Sequence, residues 1–381
     1  MSIPVSLIRC MSYDPEDVRS AVRASLKPMG GMGAFVRHGQ KVLLKPNLLI
    51  AKSAEAAVTT HPEIVRAVAM EVQEAGGEVF LGDSPAFGSI TSILSKNGIG
   101  EVVEDLGIGV VPFRNPVTMA ISGGVAFKSI EISAESRKFD VFINLPKLKT
   151  HTLMLLTLAV KNLFGAVVGV SKVGWHLRAK DDGRFADLLL DISRVVKPDL
   201  NILDGVLAME GNGPGSGDPR WTHLVAASPS AVALDHVTAT ILGVGPDMFM
   251  ILARAREQEI EGSLPEHITT FGLSLKEAAV RDFRLPATAK KVDFSIPPFI
   301  KGKIRQSLSA YPVLDPVKCI NCGACADICP VNAIALYEGG GGDVDRSVCI
   351  SCFCCQEVCL ERAIDPVEGR MLKMMKKFGI A

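Results

Sequence analysis

Cys319, Cys322, Cys325 and Cys329, followed by Pro330, set four thiols at the spacing C-x2-C-x2-C-x3-C-P, and Cys349, Cys352, Cys355 and Cys359 repeat that spacing. Two-residue gaps let three successive thiolates converge on three corners of one cubane while the backbone loops around it, and the fourth cysteine of each run goes to the other cluster. The pattern predicts two [4Fe-4S] clusters, one on Cys319, Cys322, Cys325 and Cys359 and one on Cys349, Cys352, Cys355 and Cys329. A pair of zinc sites is the alternative, because C-x2-C also builds zinc knuckles. Three equally spaced cysteines plus a fourth, twice over, favour iron and sulfide. Nine of the ten cysteines lie from Cys319 onward. The stretch Met1–Cys10 has no basic region leading into an apolar one, so an unexported, cytoplasmic chain is expected, with metal ligation in place of a disulfide scaffold. Cys354 reads as a buried non-ligand thiol beside Cys355, and Cys10 as a core residue.

A second set of chemical residues collects where strands are predicted to end. Lys45-Pro46-Asn47 follows one strand, Gly82-Asp83-Ser84-Pro85 a second, Asn144 to His151 a third, and Asp204-Gly205 with Glu210 to Pro214 a fourth. Parallel α/β sheets bind ligands at their carboxyl strand ends. Lys45, Lys147, Lys149 and His151 would hold a small carboxylate or phosphate, and Asp83, Asp204 and Glu210 would move a proton or bind a divalent metal. Lys161-Asn162 lies in an apolar stretch, where a lysine either snorkels to solvent or serves a pocket. Asn47, Lys161 and Asn162 are therefore expected, with Lys45, to bind a ligand or further cofactor. His176 and Arg178 are candidates to close over the site or are surface residues, and Asp235 would cap a helix or neutralise the pocket.

These side chains need a scaffold, and the hydrophobic periodicity supplies one. Strands are expected at Val5–Arg9, Lys41–Leu44, Glu78–Leu81, Val110–Phe113, Asp140–Asn144, Leu200–Leu203, Leu224–Ala227 and Ile268–Phe271, with an alternating segment at Val125–Ile132. Helices are expected at Asp14–Leu26, His61–Ala75, Thr152–Val167, Arg184–Val196 and Ala231–Leu242. The alternation implies an α/β fold with a mostly parallel sheet covered by helices on both faces. Five prolines between Leu285 and Pro316 mark a linker, and the piece beyond it is too short for a large core and must be held by its metal centres. Expected boundaries are 1–285 for the α/β domain, 286–313 for the linker, 314–367 for the cysteine-rich α+β domain and 368–381 for a tail. In that tail Met371, Met374, Met375 and Phe378 share one helical face, suited to packing on the protein itself or to docking a partner. Gly339–Gly342 reads as a hairpin loop, since no Lys-Ser/Thr follows it as a phosphate loop requires.

Composition closes off other classes. Across 381 residues, 48% are hydrophobic and 22% charged, and 41 basic side chains balance 41 acidic ones. That excludes disorder and gives no general polyanion-binding surface, so no nucleic-acid partner is expected. The longest stretch without Asp, Glu, Lys or Arg, Trp221–Leu234, is shorter than the ~18 residues of a spanning helix, so no transmembrane segment is expected. No G-x-G-x-x-G after a strand, H-E-x-x-H or G-x-S-x-G occurs, which removes support for nicotinamide and common hydrolase readings.

The segment Leu314–Val367 resembles a bacterial-type two-cluster ferredoxin domain through its two cysteine runs and the pairs Ala333-Ile334 and Ala363-Ile364. Leu360 departs from the pattern, standing where the first run has Pro330. Residues 1–285 resemble the group known as domain of unknown function 362 (DUF362), through Lys45-Pro46-Asn47, Thr60-His61-Pro62, Gly82-Asp83-Ser84-Pro85, Leu145–His151, Lys161–Gly165, Asp204-Gly205, Met209–Pro214 and Asp235. That resemblance implies a ferredoxin unit as a customary companion but supplies no reaction. The expectation is an iron-sulfur protein, read as an oxidoreductase, that couples electron transfer with a redox partner protein to chemistry on a small anionic ligand. The alternative is a non-enzymatic electron-transfer subunit whose α/β domain docks a partner enzyme.

Overall fold

A computed structural model describes residues 2–169, 171–179, 181–288 and 310–369. The main sheet has ten strands in this part of the chain. Its path runs β12 (Ile268–Gly272), β1 (Ile3–Arg9), β11 (Asp218–Ser228), β10 (Leu200–Glu210), β7 (Val141–Leu145), β2 (Lys41–Pro46), β3 (Glu78–Leu81) and β4 (Gly109–Val110), with β8 (Lys147–His151) on β10 and β9 (Leu155–Thr157) on β8. Pairings from β10 through β7, β2 and β3 to β4 are parallel, while β11 runs antiparallel to both β1 and β10. The fold is thus α/β with a mostly parallel mixed sheet.

Strand periodicity decides where the two cores sit. Val42, Leu44, Val141 and Ile143 face one side with α1 (Pro15–Leu26) and α2 (Pro62–Glu74). Leu43, Phe142 and Leu203 point the other way, into a larger core with α5 (Ala159–Asn162), α7 (Asp182–Val196) and α8 (Ala231–Ile241). Runs such as Val42-Leu43-Leu44 therefore have no polar alternation: both faces of the strand are covered. On the first face lie also α3 (Ile90–Asn97) and α4 (Ile99–Asp105).

Several expectations change in detail. No helix spans Thr152–Val167. Instead the chain turns after β8, returns as β9 antiparallel to it with Leu155 at a φ of 68°, and only then forms the four-residue α5 and a 3-10 turn, Leu163–Ala166. A short apolar run fits a buried strand as well as a buried helix, and here the pairing to β8 wins. Val125–Ile132 contributes only β6 (Ser129–Ser133), paired with β5 (Pro116–Ala120) in a separate ribbon. The strand expected at Val110–Phe113 survives only at Val110, as the second residue of the two-residue β4. Strands β10 and β11 each extend to 11 residues, well beyond the expected stretches.

The C-terminal region is strand-containing and small. β13 (Tyr311–Leu314) pairs with β16 (Ile364–Val367), so its chain ends close on each other, and β14 (Ile334–Leu336) pairs with β15 (Gly342–Val344). Gly339, Gly340 and Gly341, all at positive φ, make the β14–β15 hairpin loop, a conformation in which a Cβ is disfavoured. Most of the linker and the Met-rich face of the tail lie outside the described residues.

Candidate functional site

The carboxyl ends of β2 and β3, with β8 and β9 beside them, open onto a cavity of about 80 Å³. Its lining includes Lys45, Asn47, Asp83, Lys149, Lys161, Asn162 and Lys172. The strand-end rule predicts Lys45, Asn47, Asp83 and Lys149 here, and of the two readings of Lys161-Asn162, solvent or pocket, the structure has the pocket. The cavity is closed from the far side by the C-terminal region, through Ile328, Cys354, Glu357 and Val358.

Local structure explains the recurrent motifs. Lys45, fully buried, holds Asp83 at 3.0 Å. The Asp83 carboxylate also accepts from the backbone N–H of Leu48 and Ser84, at 3.2 and 2.9 Å. Gly165 packs against this ion pair so closely that any side chain there would meet Asp83 Oδ1 and Lys45 Nζ. Asn162, three residues earlier, belongs to a chain of amides: Asn47 Nδ2 donates to Asn162 Oδ1, Asn162 Nδ2 to Asn144 Oδ1, and Asn144 Nδ2 to Asn201 Oδ1, at 2.7 to 2.9 Å. This series ties β2, α5, β7 and β10 together across the sheet edge and fixes the amide orientations. Asp235 accepts from the N–H groups of Ala159 and Val160, at 2.7 and 3.1 Å, and so caps α5. Burial raises the Asp235 carboxyl to about 8, although both donated N–H bonds pull it down.

The cavity lysines have few anionic partners. Lys149 donates to Val58 O at 2.6 Å, and Lys172 donates to Ser84 O and Val167 O. Lys161 makes no hydrogen bond or ion pair among the described residues. Burial pushes Lys149 well below its usual range, with repulsion from Lys161 next, and pushes Lys172 down to about 7 against the opposing pull of Asp83. His151 Nδ1 accepts from the N–H of Leu153 and Met154, leaving the proton on Nε2, 2.9 Å from Glu357 Oε1. Burial holds His151 down at about 4. It pushes the Glu357 carboxyl up, but His151, Lys161 and His176 bring that group down to about 2.

Four expected site residues do not line this cavity: His151, which sits behind Glu357, and Lys147, Asp204 and Glu210, which lie elsewhere. Lys147 pairs with Asp204 at 2.7 Å, both fully buried, and this pair takes Tyr13 OH and the backbone N–H of His61. The ring of Tyr13 stacks on His61 with centroids 3.4 Å apart. Glu210 is held by Arg284 at 2.8 Å, with Asp218 on the same guanidinium. Asp83, Asp204 and Glu210 therefore do not converge, and among the described residues no group of three or more His, Cys, Asp or Glu side chains closes on a single ion. His176 lines the cavity and stacks on Phe185, whereas Arg178 lies over Trp175. Lys172, Thr157 and Glu357 went unnoticed in the sequence. Lys172 begins a helix with no flanking motif, Thr157 sits in the run read as helix, and Glu357 is brought in from 200 residues away.

The thiols surround two further cavities. Cys319, Cys322, Cys325 and Cys359 line one, and Cys329, Cys349, Cys352 and Cys355 line the other together with Cys354. All are free thiols. The backbone N–H of Ala333 donates to Cys329 Sγ at 3.2 Å and that of Ala363 to Cys359 Sγ at 3.3 Å, matching contacts in the two repeats. Four thiols at the repeated spacing in each cavity, with N–H donors to sulfur, are the donor set that a [4Fe-4S] cluster takes, so the residues present fit that group.

This combination defines an α/β protein that carries an iron-sulfur module over the ligand end of its sheet. Residues 42–240 match the family model described as domain of unknown function (DUF362), and residues 312–335 match a 4Fe-4S binding domain. The chain belongs to the DUF362 family and binds a 4Fe-4S cluster through its C-terminal region. It is 42% identical over 303 residues to the thylakoid-associated protein sll1697 of Synechocystis, covering 79% of this chain and 93% of that one. Among solved structures, the lactate racemase apoprotein from Thermoanaerobacterium thermosaccharolyticum matches with a TM-score of 0.42 at 10% identity, covering 64% of this chain and 57% of that one. A protein from Thermotoga maritima matches with a TM-score of 0.35 at 11% identity, covering 66% and 59%. Among the described residues no helix is long and apolar enough to cross a membrane.

Proposed function

We propose that this chain is an iron-sulfur redox protein that couples electron transfer to chemistry on a small anionic ligand in the lysine-lined cavity. The observation that carries this reading is Cys354, whose side chain forms part of the wall of both that cavity and the second thiol cavity. One thin partition thus separates the ligand end of the sheet from a cysteine set of electron-transfer type. Two [4Fe-4S] clusters, when bound, would supply one-electron chemistry. Cys319, Cys322, Cys325 and Cys359 would hold one, and Cys349, Cys352, Cys355 and Cys329 the other. Lys45 and Asp83 keep the cavity floor rigid, while Lys149, Lys161 and Lys172 attract the anion. Glu357 and His151 lock the C-terminal region onto the sheet, helped by Gln356 Nε2 donating to Asn212 O at 3.2 Å.

A redox partner protein would meet the opposite side. Cys322 is exposed, and Ile320 and Leu360, which line the same thiol cavity, are 65% and 47% exposed, a surface more apolar than solvent contact alone requires. The reading is tested on anaerobically purified protein by iron and sulfide analysis with reductive titration. About eight irons per chain are expected, falling to about four in Cys325→Ser or in Cys352→Ser. Zinc in place of iron, or clusters that cannot be reduced and reoxidised, would overturn it.

A further inference from the structure

The lysine cavity also carries polar atoms that nothing in the fold uses. Thr157, only 3% exposed, presents a buried hydroxyl without a hydrogen-bond partner, and Asn47 presents an equally unpartnered carbonyl oxygen, Oδ1. Both residues line the cavity, as does the unpaired Lys161. A buried polar group left unmade costs free energy, and native structures meet the cost with a water or a ligand. The orientation of Asn47 is not free to reverse, because its Nδ2 is committed to Asn162 Oδ1 and Asn162 Nδ2 to Asn144 Oδ1. Asn47 therefore offers an acceptor to whatever occupies the cavity, and Thr157 offers a hydroxyl that can donate to an anion.

Formal charge sets the rest of the chemistry. Four lysines, Lys45, Lys149, Lys161 and Lys172, line the cavity against two carboxylates, Asp83 and Glu357. One lysine and one carboxylate, Lys45 and Asp83, cancel as a close pair. Glu357 is engaged by His151 across the boundary with the C-terminal region. The remaining lysines come from three separate elements, β8, α5 and α6 (Ser171–Ala179), so they surround the space and do not line one wall, and an anion among them favours the charged ammonium form that burial disfavours in the empty cavity.

We infer that the cavity takes a small dianion that also bears a hydrogen-bond donor, such as a hydroxyl beside its charged group or groups. The two negative charges meet the excess of two lysines, Thr157 Oγ1 adds a hydrogen bond to the charged group, and Asn47 Oδ1 accepts from the ligand's donor. A cavity of about 80 Å³ limits the occupant to a compact molecule. This inference rests on the ligand half of the proposed function and names its substrate class. It does not depend on cluster number or potential.

The test is calorimetric titration of the cluster-loaded full chain under anaerobic conditions with acetate, malonate, hydroxymalonate and inorganic phosphate. Malonate or phosphate is expected to bind about tenfold or more tighter than acetate, and hydroxymalonate tighter than malonate. Lys161→Met should remove most of the preference for two charges. Asn47→Ala should erase the preference for hydroxymalonate over malonate while retaining malonate binding. Thr157→Val, which preserves shape, should weaken every anion. Acetate binding as well as the dianions, or dianion affinity unchanged in Lys161→Met, would overturn the inference. Intact cluster absorbance and circular dichroism in each variant separate lost binding from lost fold. Anion binding without a preference for dianions would sink this inference alone, failed binding of every anion with normal iron content would sink the ligand half of the proposed function with it, and the iron titration judges the redox half.

Discussion

Replacing Gly165 with alanine tests the site's geometry where it is tightest. A Cβ at this position would stand well inside 3.0 Å of Asp83 Oδ1 and Lys45 Nζ and 2.5 Å from Lys45 Cε. Neither partner can swing away, because Lys45 is fully buried, Asp83 is 3% exposed, and the carboxylate is also fixed by Leu48 and Ser84 N–H. Relief requires the turn Leu163–Ala166 to back off or the 3.0 Å ion pair to part. Overpacking a rigid interior costs about 1–3 kcal/mol, and full loss of a buried ion-pair partner costs about 3–5 kcal/mol. Partial separation of the pair places the expected loss at about 3 kcal/mol, or a fall in melting temperature of about 5 °C or more. Thermal melts followed by circular dichroism would measure it. Gly174→Ala in α6 is the matched control: nothing lies within 4 Å of its Cβ, and a helical alanine should be neutral or slightly stabilising. If Gly165→Ala melts with the wild type, the packing of the Lys45–Asp83 pair against this turn is wrong.

Asp235→Ala should cost about 2–4 kcal/mol, since two buried N–H groups at the start of α5 lose their acceptor, and urea denaturation beside Asp235→Asn would read the difference. Lys172 gives a pH dependence with a defined sign. Its folded pKa of about 7 lies below the unfolded value near ~10.4, so between those limits the unfolded chain binds more protons and stability rises with pH. The neutral amine still has two N–H bonds for Ser84 O and Val167 O. Melting temperature of the wild type relative to Lys172→Met should therefore climb from pH 7 to 10 without added anion. A pH-independent difference would refute it.

Much of this site could be read from residue order because its logic is topological. Lys45 and Asn144 are each the last residue but one of a strand and Asp83 lies two residues beyond one, and parallel strands bring their ends together whatever the loops do. The cysteine runs were legible for a related reason: the spacing itself encodes which thiols can reach one centre. Lys147 and Asp204 misled because strand-end position does not say which face a side chain takes, and these two satisfy each other with Tyr13 and His61. Glu210 was similarly claimed by Arg284, a residue near the expected linker. The apolar stretch after His151 concealed β9 because length and hydrophobicity suit both kinds of secondary structure. Glu357 had no readable signal, since its role comes from docking one region on the other.

The helix Cys354–Val358 gives Cys354 and Cys355 to a thiol cavity and Cys354, Glu357 and Val358 to the ligand cavity. A short segment of this kind has little core of its own and depends on its metal centre for shape. Under the proposed function, maturation and ligand competence would be a single event: a newly made chain that has not yet received iron and sulfide would lack the C-terminal wall of that cavity. Such a chain could not commit a ligand to a centre unable to exchange electrons with it, and oxidative loss of the centre would retire the site at the same stroke.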